Sequence, residues 1–493
     1  MNYFIGIDIG TTNTKAVAYS YDGAALGSAS RTYGVITPEE GYHELDPQIL
    51  FEAVIDVMTA IIAGNRGHTV AALCFSAAMH GLIAVDANGA PLTNMITWAD
   101  LRSTPYAEAL KVSPLAARLH ERTGTPIHPM SPLCKLMWMK ENLPDVFEGA
   151  HKFISIKEYV FFHLFGEFIV DRSIASSTGL FDIYSLDWNA DALGVAGIGE
   201  TRLSRHVESS FAVRGMKPEY AGRLGIDKDV SVIIGASDGC LAHIGSNALG
   251  AKDVSLTIGT SGAVRLMTEE PVHDPKRRLF NYLLTDRLYI SGGPLNNGGN
   301  VLEWFAKAFL KKDFVTPEDF ESFIDEAFEV AAGAEGLIFL PYIYGERAPV
   351  WDAEARGVFY GVSAVHTLPH FMKAVMEGVS FALLEILKSM EEVTGAVNNI
   401  YASGGFIRSV KWVKMLADVM GRRISVPLSQ DSSAAGAVIL GMKSLGTIDS
   451  FTDASAFFSI RDTFDPDMEN HRIYKENYLV YSRLYERLKD IKN

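Results

Sequence analysis

Two segments pair glycine with hydroxyl side chains at the end of an apolar run. They are Gly10-Thr11-Thr12-Asn13-Thr14-Lys15, after the apolar run Tyr3 to Ile7, and Gly259-Thr260-Ser261-Gly262, after Val254 to Ile258. Backbone N–H and hydroxyl groups in such a turn can face a phosphate. One copy alone also fits an ordinary hairpin. Recurrence about 250 residues apart points to a duplicated fold with a nucleotide between its halves. Asp8 stands one strand position before the first turn, where the second copy has Thr257. A carboxylate beside phosphates is repulsive unless a cation intervenes, so Asp8 is either a Mg²⁺ partner acting through waters or a cap of its own turn. Asp238, in Ser237-Asp238-Gly239 ahead of an apolar helical stretch, can serve as general base toward a bound hydroxyl, as a helix N-cap, or as both.

Further candidates sit at or just after strand ends, where open α/β sheets bind ligands. Met79-His80-Gly81 is one such group. Trp98, Asp100 and Arg102 alternate along another, and together offer an apolar wall, a hydroxyl acceptor and a cation, as a polyol acid requires. Arg102 is the candidate reader of a substrate carboxylate, because burying that charge without a cation costs several kcal/mol; a surface arginine paired with Asp100 is the simpler alternative. Asn296-Asn297-Gly298-Gly299 supplies amide donors or a plain turn. The chain contains no P-loop, no G-x-G-x-x-G after a strand and no H-E-x-x-H, which excludes the enzyme classes built on them.

Positioning these groups calls for alternating strands and helices. Residues 1 to 20 read as strand, turn and strand. Ile49, Leu50, Ala53, Val54, Val57 and Ile61 make an apolar stripe at helical spacing over residues 46 to 64. Val70 to Phe75 and Leu82 to Val85 read as strands, and residues 101 to 225 as a mainly helical, Pro-punctuated insertion. Val230 to Ile234 is a strand leading into the Asp238 turn. The second half echoes this order, with a strand at Val254 to Ile258, helices at Leu302 to Phe309, Glu318 to Val330 and His370 to Glu392, a strand-to-Ser turn at Ile400 to Gly405, and a small-residue helix start at Ser432 to Ala437. No low-complexity linker intervenes, so two domains are expected, 1–245 and 246–493, meeting at a hinge.

Bulk properties agree with two domains: 493 residues suffice for two large cores. With 44 Lys+Arg against 59 Asp+Glu, the net charge of −15 argues against a nucleic-acid partner. An anionic ligand remains allowed through local donors. Cys74, Cys134 and Cys240 stand alone, with no metal-ligand spacing, which suits a reducing compartment. No signal peptide and no apolar run of membrane-spanning length is read from the sequence, so a cytoplasmic protein with no membrane partner is expected.

These residues resemble the FGGY family of carbohydrate kinases, a branch of the actin, hexokinase and heat-shock ATPase superfamily, from end to end. The segments that carry the resemblance are Met130 to Asn142, Gly345 to Trp351, and Gly357-Val358-Phe359-Tyr360-Gly361-Val362 continuing through His370-Phe371 to Glu377. The resemblance implies an α/β fold of two ribonuclease-H-like domains with an interdomain cleft, and ATP and Mg²⁺ as cofactors. By position, Asp238 matches the family's catalytic base. Asp8, Gly10, Thr11, Thr12, Asn13 and Lys15 match the first phosphate segment, Gly259 and Thr260 the second, and Gly404 and Gly405 the adenosine segment. Gly299 and Glu303 fall where the family approaches the nucleotide from the other side, and Met79-His80 where xylulose-type members contact the sugar. Ser76 to His80, Ile96 to Asp100, Ile127 to Pro132 and Asp171 to Leu180 look most like the branch acting on gluconate. That implies ATP-dependent phosphorylation of D-gluconate to 6-phosphogluconate, with xylulose or another pentulose as the alternative acceptor. A chaperone-like ATPase of the same superfamily is the rival class, and would need neither the base nor the Trp-Asp-Arg group. The oligomeric state is left open, a homodimer included.

Overall fold

In the computed structural model, which describes residues 2–428, 431–457 and 459–491, the N-terminal apolar run folds back on itself as expected. Strands β1 (Asn2–Ile9) and β2 (Asn13–Ser20) form an antiparallel hairpin that continues into β3 (Ala25–Thr32). On the other side of β1 lies β4 (Thr69–Ala77), parallel to it, followed by β6 (Ser231–Ser237), parallel to β4, with the short β5 (Ala212–Val213) at the edge. Alternate side chains of β1 serve two cores, which is why the strand from Tyr3 to Ile9 is apolar except at Gly6 and Asp8. Ile5, Ile7 and Ile9 pack with helix α1 (Pro47–Gly64), through Leu50, Phe51, Val54 and Met58. Each such side chain buried contributes about 2 kcal/mol. Phe4, with Cys74 and Ile233, packs on the opposite face against Cys240, Leu241 and Ala434 to Leu440.

The chain divides into two compact units, 1–250 with 267–291 and 431–459, and 251–266 with 292–430 and 460–493. The structure therefore draws the boundary differently from the single division at residue 245. The chain leaves unit 1 close to the expected place but returns to it twice. The physical reason is visible in the helix Ser432–Ser444, expected to close the second half. It is Ala- and Gly-rich because it crosses the helix that begins at Asp238 almost backbone to backbone: a Cβ on Gly436 would lie 2.0 Å from Leu241 O.

Contrary to expectation, one helix among the described residues, α1, is long and apolar enough to cross a membrane. Most of its apolar residues, Leu50, Phe51, Val54, Ile55, Val57, Met58 and Ile61 among them, pack in the core of unit 1, while Ile49 of the expected stripe is exposed. The 101–225 region carries its helices, among them α2 (Pro132–Asn142), α3 (Ile156–Phe165) and α4 (Arg172–Ser176), interspersed with short strands.

Unit 2 repeats the hairpin-plus-parallel plan. β7 (Val254–Ile258) and β8 (Gly262–Thr268, up to Leu266 in this unit) are antiparallel. β9 (Ile400–Ser403) runs parallel to β7, β10 (Ile424–Pro427) parallel to β9, and β11 (Ile460–Phe464) antiparallel at the edge. The helix expected at 302–309 starts at Gly299 and ends at Phe305 in a wider turn over 306–310. The one expected at 370–392 runs from Leu368 to Thr394.

Candidate functional site

In unit 1 the parallel strands β1, β4 and β6 end side by side, with Asp8 opposite Ser76, Ile9 opposite Ala77, and Ser237 also opposite Ala77. Asp8, Met79-His80-Gly81 and Asp238 therefore share the carboxyl edge of one sheet, the edge at which α/β folds bind ligands. The register slips between Ile233 and Ala236. Gly235 makes the slip possible: its φ is 75°, and a Cβ there would stand 1.6 Å from Phe75 O. The bulge aims Ser237 and Asp238 off the strand end. Ser237, not Asp238, takes the N-cap position of helix α5 (Asp238–Gly245), and its N–H donates to Ser173 Oγ at 3.1 Å. Asp238 is the first helical residue, partly exposed, with Oδ1 accepting from Gly239 N at 2.7 Å. The N-cap alternative for this carboxylate is thus corrected.

Asp8 accepts from Ser76 Oγ at 2.7 Å. Burial, and then the nearby charge of Asp238, push its carboxyl up to about 7; Asp431 adds to the rise, while Ser76 and Lys157 oppose it. Lys157, buried on α3, donates to Asp171 Oδ2 at 2.7 Å and to Ala236 O at 2.8 Å, two residues before Asp238. Asp171 in turn caps α4 through Ile174 N. Burial drives both members of this pair toward neutrality and their mutual attraction opposes it. Sequence reasoning passed over Lys157; the available signal was a charged residue inside the apolar run Ile156 to Phe165.

The first Gly-Thr turn is closed by Gly10 N to Asn13 O at 3.0 Å. Tyr33 donates to Gly10 O, and Trp98 Nε1 reaches Thr11 Oγ1 at 3.4 Å, so Trp98 sits beside this turn. Thr12 and Asn13 are exposed at the tip. Lys15 makes an ion pair with Asp431, the residue before the helix Ser432–Ser444. Lys15 is therefore fixed by a partner 416 positions away that nothing local in the sequence announces.

His80 adopts a left-handed conformation (φ 67°), with Nδ1 2.7 Å from Ser177 O and Nε2 3.5 Å from Tyr282 OH. Its carbonyl receives Lys135 Nζ at 2.5 Å, and that ammonium also donates to Ile96 O at 3.2 Å. Burial pushes the Lys135 ammonium down to about 7. Lys135, Ser177 and Tyr282 were not anticipated, since each meets His80 only through tertiary packing. Met79 is half-buried beside this group, and Gly81 leaves room for Met95.

The expectation for Asp100 and Arg102 needs correction. Arg102 donates through Nε to Asp100 Oδ1 at 2.8 Å, and through Nη2 to Asp100 Oδ2 at 2.7 Å and Glu44 Oε1 at 2.6 Å. Its guanidinium lies 3.8 Å from the Tyr42 ring centroid, with 4 % of the side chain exposed. Asp100, fully buried, also accepts from His43 N and Arg102 N. Both charges are matched internally, so the pair shapes the loop that carries Trp98 instead of presenting a cation to a ligand. The pairing of Arg102 with Asp100 is realised, but inside the protein and not at the surface.

In unit 2 the second turn is closed by Gly259 N to Ser261 O at 2.8 Å. The start of helix α6 (Gly299–Phe305) docks on it, with Gly299 N to Gly259 O at 2.7 Å and Asn300 N to Thr260 O at 3.2 Å. Thr257 Oγ1 lies 3.0 Å from Ser403 Oγ, so β9 delivers Gly404 and Gly405 beside the same strand end. Glu303 is exposed on α6. Asn297 Nδ2 is spent on Gly345 O and Glu346 Oε2, and Asn296 N on Glu346 Oε1. The asparagines therefore build a turn around buried Glu346, whose carboxyl burial pushes up to about 7.

Among the described residues no group of three or more His, Cys, Asp or Glu side chains could hold a metal by itself. A divalent ion fits beside Asp8 all the same, because a cation would relieve the crowding of Asp8, Asp238 and Asp431 that raises its carboxyl.

Comparison with known proteins assigns the class. The model of the FGGY family of carbohydrate kinases, N-terminal domain, matches residues 3–245, and the C-terminal domain model matches residues 254–445. The gluconokinase of Bacillus subtilis is 39% identical over 98% of this chain and 96% of its own. A gluconate kinase structure from Lactobacillus acidophilus superposes with a TM-score of 0.94 at 35% identity, covering 99% of both chains. A ligand-bound xylulose kinase structure from the same organism scores 0.94 at 35% identity, covering 100% of this chain and 99% of that one. The chain belongs to the FGGY family of carbohydrate kinases, two-domain α/β enzymes that use ATP with a divalent metal.

Proposed function

We propose that this kinase transfers the γ-phosphoryl group of ATP to the terminal hydroxyl of D-gluconate, giving 6-phosphogluconate. The observation that carries the reading is the shared carboxyl edge of β1, β4 and β6, where Asp8, His80 and Asp238 stand at the ends of three adjacent strands. Asp238 accepts the proton of the attacking hydroxyl; the Gly235 bulge and the Ser237 to Ser173 bond hold it ready. Met79, His80 and Trp98 orient the acceptor. Gly10, Thr11, Thr12 and Asn13 bind phosphate through backbone and hydroxyl donors, and Gly259, Thr260, Gly299, Glu303, Gly404 and Gly405 bind the nucleotide. Asp8 would hold Mg²⁺, which would offset the charge of the phosphates. Lys15, paired with Asp431, tethers the phosphate hairpin.

Gluconate is preferred over xylulose because the full-length gluconokinase relative is 39% identical. A panel measuring coupled ADP release with gluconate, xylulose, ribulose and glycerol tests the acceptor: gluconate should give the highest kcat/KM, and a preference for xylulose would replace the substrate while leaving the kinase. In the Asp238→Asn variant, nucleotide binding should persist while kcat falls ~10²- to 10⁴-fold. Near-normal kcat in that variant would remove Asp238 as the base.

A further inference from the structure

Unit 2 contains a cavity of about 380 Å³ that shares no lining residue with the segments assigned above. Helix α7 (Leu368–Thr394) supplies Lys373 to its wall, and helix α8 (Val410–Met420) supplies Lys411, Lys414 and Asp418. The three α8 residues fall on one face, at the i, i+3, i+7 spacing. Phe328, just past the helix Pro317–Ala327, and Asn470 complete the polar end. The protein carries a net charge of −15, so three ammonium groups around one small cavity run against its general field.

Lys373 is the unusual member. Only 2 % of it is exposed, and its Nζ lies 3.4 Å from the Phe328 ring centroid. Among the described residues this ammonium donates no hydrogen bond. The carboxylates near enough to attract it are Glu377 and Asp418, with Lys411 repelling it. Asp418 is engaged by other donors, and Glu377, whose Oε2 is buried without a hydrogen-bond partner, attracts the ammonium through its charge. Glu377 Oε1 accepts from Gly333 N at 2.9 Å, while Asp418 accepts from Asp467 N at 2.7 Å and from Asn470 Nδ2 at 3.0 Å. Lys411 is tied at the rim to exposed Asp325, and Lys414 is exposed. A buried ammonium without an acceptor is costly unless a ligand supplies one.

We propose that this cavity binds a small phosphomonoester, its phosphate on Lys373 with Lys411 and Lys414 at the rim, and its hydroxylated body against Asn470. Lysines present compact charges suited to phosphate, where a carboxylate site would favour the planar fork of arginine. A dianion also matches three cations better than a carboxylate does. The volume lies at the small end of metabolite sites.

Calorimetry on the full chain tests the site, with glucose 6-phosphate as probe, glucose as uncharged control, and a non-hydrolysable ATP analogue present at saturation to occupy the kinase site. Saturable binding of glucose 6-phosphate and none of glucose is expected, with inorganic phosphate weaker. Lys373→Met should weaken Kd by about tenfold or more. Lys411→Ala/Lys414→Ala, which changes only rim residues, should weaken it similarly and keeps the test decisive if the Lys373 variant does not fold. No saturable binding up to ~1 mM, or an affinity that the Lys411→Ala/Lys414→Ala variant leaves unchanged, would overturn the proposal.

Discussion

Replacing Arg102 by Met separates two roles for this residue that predict different measurements. Arg102 makes three side-chain hydrogen bonds to two carboxylates, at 2.8, 2.7 and 2.6 Å, from a position 4 % exposed. Removing it strands Asp100, whose side chain is fully buried, and Glu44, 13 % exposed. Breaking a buried pair by deleting one partner costs ~3–5 kcal/mol. Asp100 keeps the amides of His43 and residue 102, which places the expectation near ~3 kcal/mol. For a unit of this size that is a fall in Tm of about 6–12 °C. The expected kinetic signature is equal loss with gluconate and with any neutral acceptor the enzyme takes, because the Trp98 loop loosens for both. Thermal unfolding of the variant, with KM for gluconate and xylulose below the new Tm, decides the matter. A Tm within about 2 °C of the parent, together with a KM increase confined to gluconate, would return Arg102 to the role of carboxylate reader and refute the structural argument.

Three further outcomes follow from the same geometry. Gly235→Ala places a methyl group 1.6 Å from Phe75 O at a positive φ; a loss of ~4 kcal/mol or insoluble protein is expected, and a soluble variant of unchanged Tm would remove the bulge as the device that aims Asp238. Burial holds the Lys135 ammonium near 7 against an ordinary 10.5, so the folded state binds fewer protons than the unfolded one between those values and this residue's contribution to stability rises with pH across the window. The urea midpoint should therefore gain less between pH 7 and 9 in Lys135→Met than in the parent, and equal gains would show that Lys135 does not titrate there. Asp8 is pushed up to about 7, so MgATP binding near that pH should release protons as the carboxylate ionises, detectable by calorimetry in buffers of different ionisation enthalpy. Asp8→Asn should abolish that release, and an unchanged release would place the proton elsewhere.

The elements and the candidate site were legible in the sequence to different depths. The two Gly-Thr turns, the strands that precede them, the α1 stripe and the place of Asp238 at a strand-to-helix junction all rest on local patterns: period-two or helical apolar spacing and residues suited to tight turns. Such patterns act over a few residues and survive whatever the rest of the chain does. Arg102 marks the limit. Its spacing from Trp98 and Asp100 was correct for a binding loop, yet Glu44 and Tyr42, which occupy its charge and its face, lie some sixty residues earlier. The same holds for Lys135 beneath His80, Lys157 behind Ala236, and Asp431 against Lys15.

By itself, then, the sequence determined the strand ends, the turn chemistry and the family, since each depends on residues close together or on motifs read in order. Only the tertiary structure decided which charges remain available to a ligand and which are consumed inside the protein. It also decided that the helix Ser432–Ser444 belongs with unit 1, because the small residues that make it look like any helix start are there to let two backbones touch. A charged side chain or a glycine is defined by what faces it, and in this fold what faces it is brought from 55 to 416 positions away.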